Sequence, residues 1–119
     1  FNFEKLEVWQ EAIEFADFVY AVTRRFPDDE RFGLTSQLRR SAVSILANIA
    51  EGSSRSSRAD NARFFEISGG SVFEAVSHAT ISKRQGFLSD AEFGSLYAAC
   101  EKQSRMLSGL RRSLIESRR

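Results

Sequence analysis

The sequence predicts an all-α protein, an antiparallel up-down-up-down four-helix bundle, and three observations support this fold class. Four segments repeat their apolar residues at the three- and four-residue spacing of amphipathic helices. The chain has only 1 proline and 7 glycines among 119 residues, so little interrupts these segments. The connections between them are only a few residues long, and helices joined by short connections pack as antiparallel neighbours.

The first predicted helix covers about residues 3–25 and ends before Pro27. Its inner face consists of Val8, Ala12, Phe15, Ala16 and Val19. A separate acidic row on this helix consists of Glu4, Glu7, Glu11 and Glu14. In an up-down bundle that row lies beside the end of the fourth helix. We therefore predict charge pairing between the row and Arg111, Arg112, Arg118 and Arg119.

The second predicted helix begins near Thr35 and ends at Gly52, and its polar side is unusual for a surface helix. Such sides generally carry Glu and Lys, whereas this stripe is mostly short and uncharged. It contains Gln37, Arg40, Ser41, Ser44, Asn48 and Glu51. Buried polar groups are costly unless satisfied, and one polar layer can set register and oligomeric state. We interpret all of these except Ser41 as an assembly or polar-network set, facing a helix of the same subunit or of another.

The third predicted helix covers about residues 59–85, with Ser57 or Asp60 as its N-cap. Its middle contains Gly69 and Gly70, each of which costs a helix about 1 kcal/mol relative to alanine. That cost predicts either a close approach of another helix or a local break. Gly86 is expected to close this helix.

The fourth predicted helix begins with a capping box formed by Ser89 and Glu92. A seam of apolar residues then follows alternating steps of three and four, with Gln103 as its interruption. The seam consists of Phe93, Leu96, Cys100, Leu107, Leu110 and Leu114.

Several stretches of the chain resemble one known family. They are LEVWQEA, FPDDERFGLTSQLRRSAVSILANIAEG, GGSVFEA and RMLSGL. They are similar to the bacterial four-helix-bundle proteins called the 23S rRNA intervening-sequence protein family, over almost the whole chain. The resemblance implies a bundle that assembles as a homopentamer. It also implies a relationship to the accessory protein of diversity-generating retroelements, a strongly basic pentameric barrel that binds nucleic acid and a reverse transcriptase. The long motif marks Gln37, Arg39, Arg40, Ser44, Asn48, Glu51 and Gly52.

Arginine is the main basic residue: 14 arginines and 3 lysines make up the 17 basic side chains. Arginine suits phosphate contacts and base stacking better than lysine. The candidate phosphate contacts are Arg39, Arg40, Arg55, Arg58, Lys83 and Arg84. Carboxylates share both ends of the bundle with them, and the formal net charge is only +1. A ring of five subunits would align weak basic patches into one surface. No aromatic residue interleaves with these arginines along the sequence, so sequence-specific RNA reading is not predicted.

No enzyme is predicted. The single histidine, His78, cannot complete a di-iron or zinc site from one chain, and Cys100 lies on the apolar seam. No cofactor, metal or small-molecule substrate is therefore expected. One cysteine and the lack of an apolar run of about 20 residues favour a cytoplasmic protein that does not enter a membrane.

The chain is expected to be a single domain over residues 1–119. Its expected partners are other copies of itself, in a homopentamer, and RNA or another nucleic acid. The alternative is a structural or protein-interaction scaffold with no nucleic-acid ligand.

Overall fold

The computed structural model describes residues 1–116, and its elements are four long α-helices. Helix α1 covers Glu7–Thr23, α2 Leu34–Ser54, α3 Arg58–Arg84 and α4 Asp90–Glu116. Two short 3-10 turns, Asn2–Lys5 and Asp28–Glu30, precede α1 and α2. Residues 1–116 contain no β-strand. Within this range, no helix combines the length and the hydropathy of a membrane span.

The helices run antiparallel in chain order, and α4 packs back onto α1 to close the bundle. Hydrogen bonds between neighbouring helices show that their directions are opposite. Ser44 of α2 meets Ser71 of α3, and Ser68, one turn earlier on α3, bonds to Ile45. The middle of α4 contacts the start of α1, where the Gln103 Nε2 atom donates to the Val8 carbonyl at 2.9 Å. The bundle measures 50 × 22 × 20 Å, and the predicted fold class is confirmed.

One core runs along the bundle axis, and its membership follows the predicted apolar faces. The five residues predicted for the inner face of α1 are all buried. In α4, Leu96, Cys100 and Leu107 are buried on the predicted seam. Gln103, the interruption in that seam, is buried as well. A buried amide needs partners, and the Nε2 atom has one in α1, whereas the Oε1 atom is buried without a partner among the described residues.

The helix ends follow most of the predicted signals. The Ser57 Oγ atom accepts the Asp60 backbone N–H at 3.1 Å, so Ser57 is the N-cap of α3. Gly86 has a φ of +81° and lies just after α3. There the Phe87 backbone N–H donates to the Ser82 carbonyl and the Gly86 N–H to that of Lys83. These are the two bonds of a Schellman motif.

Two predicted boundaries are wrong. The first α-helix begins at Glu7, because Leu6 is extended (φ −73°, ψ 127°) and separates it from the 3-10 turn. The second helix continues through Gly52 to Ser54. A Cβ atom at Gly52 would lie 3.0 Å from Phe64 and Phe65 of α3. This glycine therefore permits the close approach of two helices and is not a C-cap.

Of the two alternatives predicted for Gly69 and Gly70, the local break is wrong. Helix α3 continues through both residues without a break. A Cβ atom at either position would meet nothing within 4 Å among the described residues. Inside residues 1–116 of one subunit, these glycines therefore allow no close helix contact.

The acidic row of α1 does not pair with the arginines of α4 as predicted. Its Glu11 pairs with Lys102, and Arg111 instead lies 3.5 Å from Glu66 of α3. The reason is the rotation of α4, which turns Lys102 toward α1 and Arg111 toward α3. Arg112 forms no ion pair within 4 Å among the residues described. Arg118 and Arg119 lie outside the described residues.

Candidate nucleic-acid interface

The polar stripe of α2 faces α3 at its centre and solvent at its ends. The Ser44 Oγ atom lies 2.8 Å from the Ser71 Oγ atom. The Asn48 Nδ2 atom donates to the carbonyl and hydroxyl of Ser44 at 2.9 and 3.1 Å. Both Ser44 and Asn48 are half-buried, whereas the remaining predicted members are exposed: Gln37, Arg40 and Glu51. The centre of the stripe is thus a hydrogen-bonded contact within the subunit.

The surface has three groups of basic residues, and in two of them the basic side chains form ion pairs with carboxylates. At the junction of α3 and α4, Lys83 lies 3.7 Å from Asp90, and its ammonium lies 4.7 Å from the centre of the Phe93 ring. At the same end Arg25 pairs with Glu92. Arg84 is exposed beside them. Most of the positive charge at this junction is therefore neutralised locally.

The second group surrounds the loop between α2 and α3. Arg55 lies 3.0 Å from Glu51, and Arg63 lies 3.9 Å from Asp60. Both guanidinium groups also contact the Phe64 ring, at 4.8 and 4.6 Å from its centre. Arg58 is the exposed first residue of α3. At that position its charge opposes the positive end of the helix dipole.

The third group lines a cleft of about 470 Å³ between the end of α1 and the start of α2. We call it the α1–α2 cleft. Its walls are Tyr20, Arg31, Phe32, Thr35, Ser36, Arg39, Arg40 and Val43. Within residues 1–116, none of its three arginines has a carboxylate oxygen within 4 Å. The cleft therefore combines three uncompensated guanidinium groups with hydroxyl groups and aromatic rings.

Arg39 is held in place by α1. Its Nε atom donates to the Thr23 hydroxyl at 2.8 Å, and that hydroxyl donates to the Val19 carbonyl at 2.7 Å. The guanidinium lies 4.5 Å from the centre of the Tyr20 ring. Because Thr23 is buried, this arrangement is anchored in the core. The guanidinium is thus ordered before any ligand arrives, which lowers the entropy cost of binding.

The start of α2 adds to the positive potential of the cleft. Thr35 and Ser36 belong to the first turn of this helix, where the helix dipole favours an anion. One carboxylate already uses this property, since Glu30 accepts the Leu34 backbone N–H at 3.0 Å. The neighbouring Asp28 and Asp29 are exposed. The arrangement can hold phosphate oxygens at the arginines while leaving one face of the Phe32 ring open.

Sequence reasoning predicted Arg39 and Arg40 but missed the residues that surround them. Thr23, Tyr20 and Phe32 come from another helix or from the connecting turn. They reach the arginines only because α1 and α2 form an antiparallel hairpin. The sequence sign of this contact is that Tyr20 and Thr23 lie about one helical turn apart, shortly before Pro27.

A second open feature is an apolar groove between α3 and α4. It consists of two clefts of about 490 and 350 Å³ that share Phe73 and Ser104. Phe73 is 66% exposed and Tyr97 is 45% exposed. Gly69 and Gly70 line the second cleft. We call this feature the α3–α4 groove.

The single cysteine is buried in the core of the bundle. Burial raises the pKa of the Cys100 thiol to about 12, so it stays protonated and unreactive near neutral pH. Residues 1–116 contain no group of three or more histidine, cysteine, aspartate or glutamate side chains that could hold a metal ion.

Comparisons with known proteins agree with the fold. A search of curated proteins found no match. Among solved structures, the chain is similar to a protein of unknown function from the S23 ribosomal protein family of Bacteroides thetaiotaomicron VPI-5482. The TM-score is 0.81 at 22% identity, covering 87% of this chain and 97% of the other. At this identity the likeness establishes the fold alone. The family model for the 23S rRNA-intervening sequence protein matches residues 4–109, so the chain belongs to this family.

Proposed function

We propose that this protein is a non-enzymatic, self-assembling bundle that binds the phosphates of RNA or another nucleic acid through the α1–α2 cleft. The proposal places it in the cytoplasm as a homo-oligomer, a pentamer by its resemblance to other bundles of this kind. Arg31, Arg39 and Arg40 would contact the phosphates.

The observation that carries the proposal is the lack of carboxylate partners at these arginines. An arginine already paired with a carboxylate must give up that pair before it can serve a phosphate. Arg55 and Arg63 each have such a pair, as does Lys83. The three arginines of the cleft do not, and one of them is held in place by Thr23. They also line one cleft together, so they offer the largest gain on binding. Arg58 and Arg84 likewise have no ion pair in residues 1–116, but each stands beside paired groups, so Arg55, Arg58, Lys83 and Arg84 would act as secondary contacts.

Self-assembly is supported by the α3–α4 groove and by the weakness of a single cleft. Three phosphate contacts on a single strand correspond to a salt slope of only about −2. Several copies acting together would raise the affinity through effective concentration. The exposed Phe73 and Tyr97 offer an apolar surface that a second copy would cover.

The test is a titration of RNA at several salt concentrations. Exchanging Arg31 and Arg40 for glutamine should weaken binding by about tenfold or more. It should make the salt slope shallower by about 1.4, because each phosphate contact on a single strand accounts for about 0.7. Both side chains are exposed, so the fold should be unaffected. Arg55→Gln with Arg58→Gln removes the same charge at the other end and should weaken binding less.

Arg112→Gln is the control for a single lost charge, since this side chain is exposed on α4 and far from the cleft. Equal weakening by Arg112→Gln and Arg40→Gln would contradict a localised site. Failure of the unaltered protein to bind RNA at low salt would eliminate the proposal.

The second candidate function is a structural or protein-interaction scaffold without nucleic acid. The α3–α4 groove favours it, since an apolar surface of this kind serves protein contacts whether or not RNA binds. Light scattering after size-exclusion chromatography distinguishes the two. An assembly whose mass and stability do not depend on added RNA, together with no RNA binding, would establish the scaffold.

A further inference from the structure

The side chain of Phe32 is 88% exposed in the turn that leads into α2. It is one wall of the α1–α2 cleft. The Arg31 guanidinium lies 5.4 Å from the ring centre. Arg31 lies over one face of this ring, and the high exposure leaves the other face open to a flat apolar partner.

The composition of the cleft identifies the chemistry of that partner. Each ring of the cleft has an arginine over it, but Tyr20 is only 38% exposed, whereas Phe32 is 88% exposed and has a free face. Around it lie Arg31, Arg39 and Arg40, which suit phosphate oxygens, and the hydroxyls of Thr35 and Ser36. A ligand that fits must therefore carry both a phosphate and a planar ring. An unpaired nucleotide has both, whereas a base in a duplex is stacked between its neighbours.

We infer that the α1–α2 cleft binds unpaired, single-stranded nucleic acid, with one base stacked on Phe32 and the adjoining phosphates on Arg31, Arg39 and Arg40. The inference rests on the proposed function and adds the strandedness of the ligand. Stacking of this kind is tolerant of sequence, because every base has a π-face. It therefore requires no base-specific hydrogen bonds.

Other aromatic side chains beside basic groups do not offer the same site. Phe64 is half-buried and contacted by Arg55 and Arg63. Phe73 is exposed, but its groove also contains Glu66 and Glu101. These carboxylates would repel a phosphate. Phe32 combines an open ring with arginines that lack carboxylate partners.

The test compares three fluorescent ligands of equal length: a single-stranded RNA, the same RNA paired with its complement, and an abasic strand with the same phosphates. The unaltered protein should bind the single strand about fivefold to a hundredfold more tightly than the abasic strand, the range expected for one stacked base. It should also prefer the single strand to the duplex.

Two variants of Phe32 isolate the ring. Phe32→Leu keeps an apolar side chain and should lose most of the advantage of the single strand over the abasic strand, with an unchanged salt slope. Phe32→Trp keeps an aromatic face and should retain that advantage. Because Phe32 is exposed, both variants should unfold at the same denaturant concentration as the unaltered protein.

Three results would overturn the inference. Equal affinity for all three ligands, with no effect of Phe32→Leu, would remove base stacking but leave phosphate binding intact. No binding of any ligand would remove the proposed function as well. A lower mass of Phe32→Leu in light scattering without RNA would mean that a second copy covers the ring instead.

Discussion

Helix α3 has two neighbours, and its contacts with them differ in kind. Its seam with α2 is closed by short polar side chains: Ser44 meets Ser71, and Ser68 donates to the Ile45 carbonyl. Gly52 brings the two helices together. On the other side, the α3–α4 groove remains open around Phe73. Helix α3 thus packs closely against α2, whereas its packing against α4 leaves a groove at the surface.

The glycines of the two regions differ in how close the neighbouring atoms are. A Cβ atom at Gly52 would press on Phe64 and Phe65, whereas one at Gly69 or Gly70 would meet nothing within 4 Å among residues 1–116. A small residue in a helix thus marks a close contact only when it faces a neighbour.

The largest effect is expected at the closed seam. Gly52→Leu should lower the free energy of unfolding by about 2–3 kcal/mol, because the new side chain overpacks the contact with Phe64 and Phe65. Urea denaturation followed by circular dichroism measures this change. Gly94→Leu is the matched control, since Gly94 is exposed in α4 with open space around it. Equal denaturation midpoints for both variants would contradict the close approach.

A smaller effect is expected from the hydrogen bond across the seam. Ser68 is fully buried, and its Oγ atom lies 2.8 Å from the Ile45 carbonyl. Ser68→Ala should lower the free energy of unfolding by about 1 kcal/mol relative to Ser77→Ala. The exposed Ser77 bonds only within its own helix, so the comparison cancels helix propensity. If the two variants unfold alike in urea, the bond contributes nothing to the seam.

In the α3–α4 groove, replacing a glycine should stabilise the protein, in contrast to the replacement of Gly52. Gly70→Ala should raise the free energy of unfolding by about 1 kcal/mol, because alanine favours a helix and the space is open. Thermal denaturation checks this prediction. A decrease would mean that another chain packs closely against this position.

The smallest effect on folding is expected at Phe73, which is 66% exposed. Phe73→Glu should change the free energy of unfolding by less than about 0.5 kcal/mol. If the groove is a subunit interface, light scattering should show a lower mass for this variant. Ile81→Glu, at an exposed site on the same helix outside the residues that line the groove, should leave the mass unchanged. An unchanged mass for Phe73→Glu would show that the groove takes no part in assembly.

Helix ends and core faces could be predicted because their causes are local. The Ser89–Glu92 capping box has the predicted reciprocal bonds of 2.9 and 3.1 Å. These bonds, together with Arg25, also hold the pKa of the Glu92 carboxyl below its usual value. Gly86 adopts the predicted left-handed conformation. Each of these depends on residues within one helical turn, so a single sequence is sufficient to identify them.

The sequence by itself determined four amphipathic helices, their antiparallel order, most caps and the faces that enter the core, because spacing and short-range hydrogen bonds encode these features. Only the tertiary structure decided that Gly52 is a packing contact, that Lys102 is the partner of Glu11, and that Phe32 stands open beside Arg39 and Arg40. These depend on the rotation and register of one helix against another. Packing along the whole core sets that register, so it cannot be predicted from any short segment of the chain.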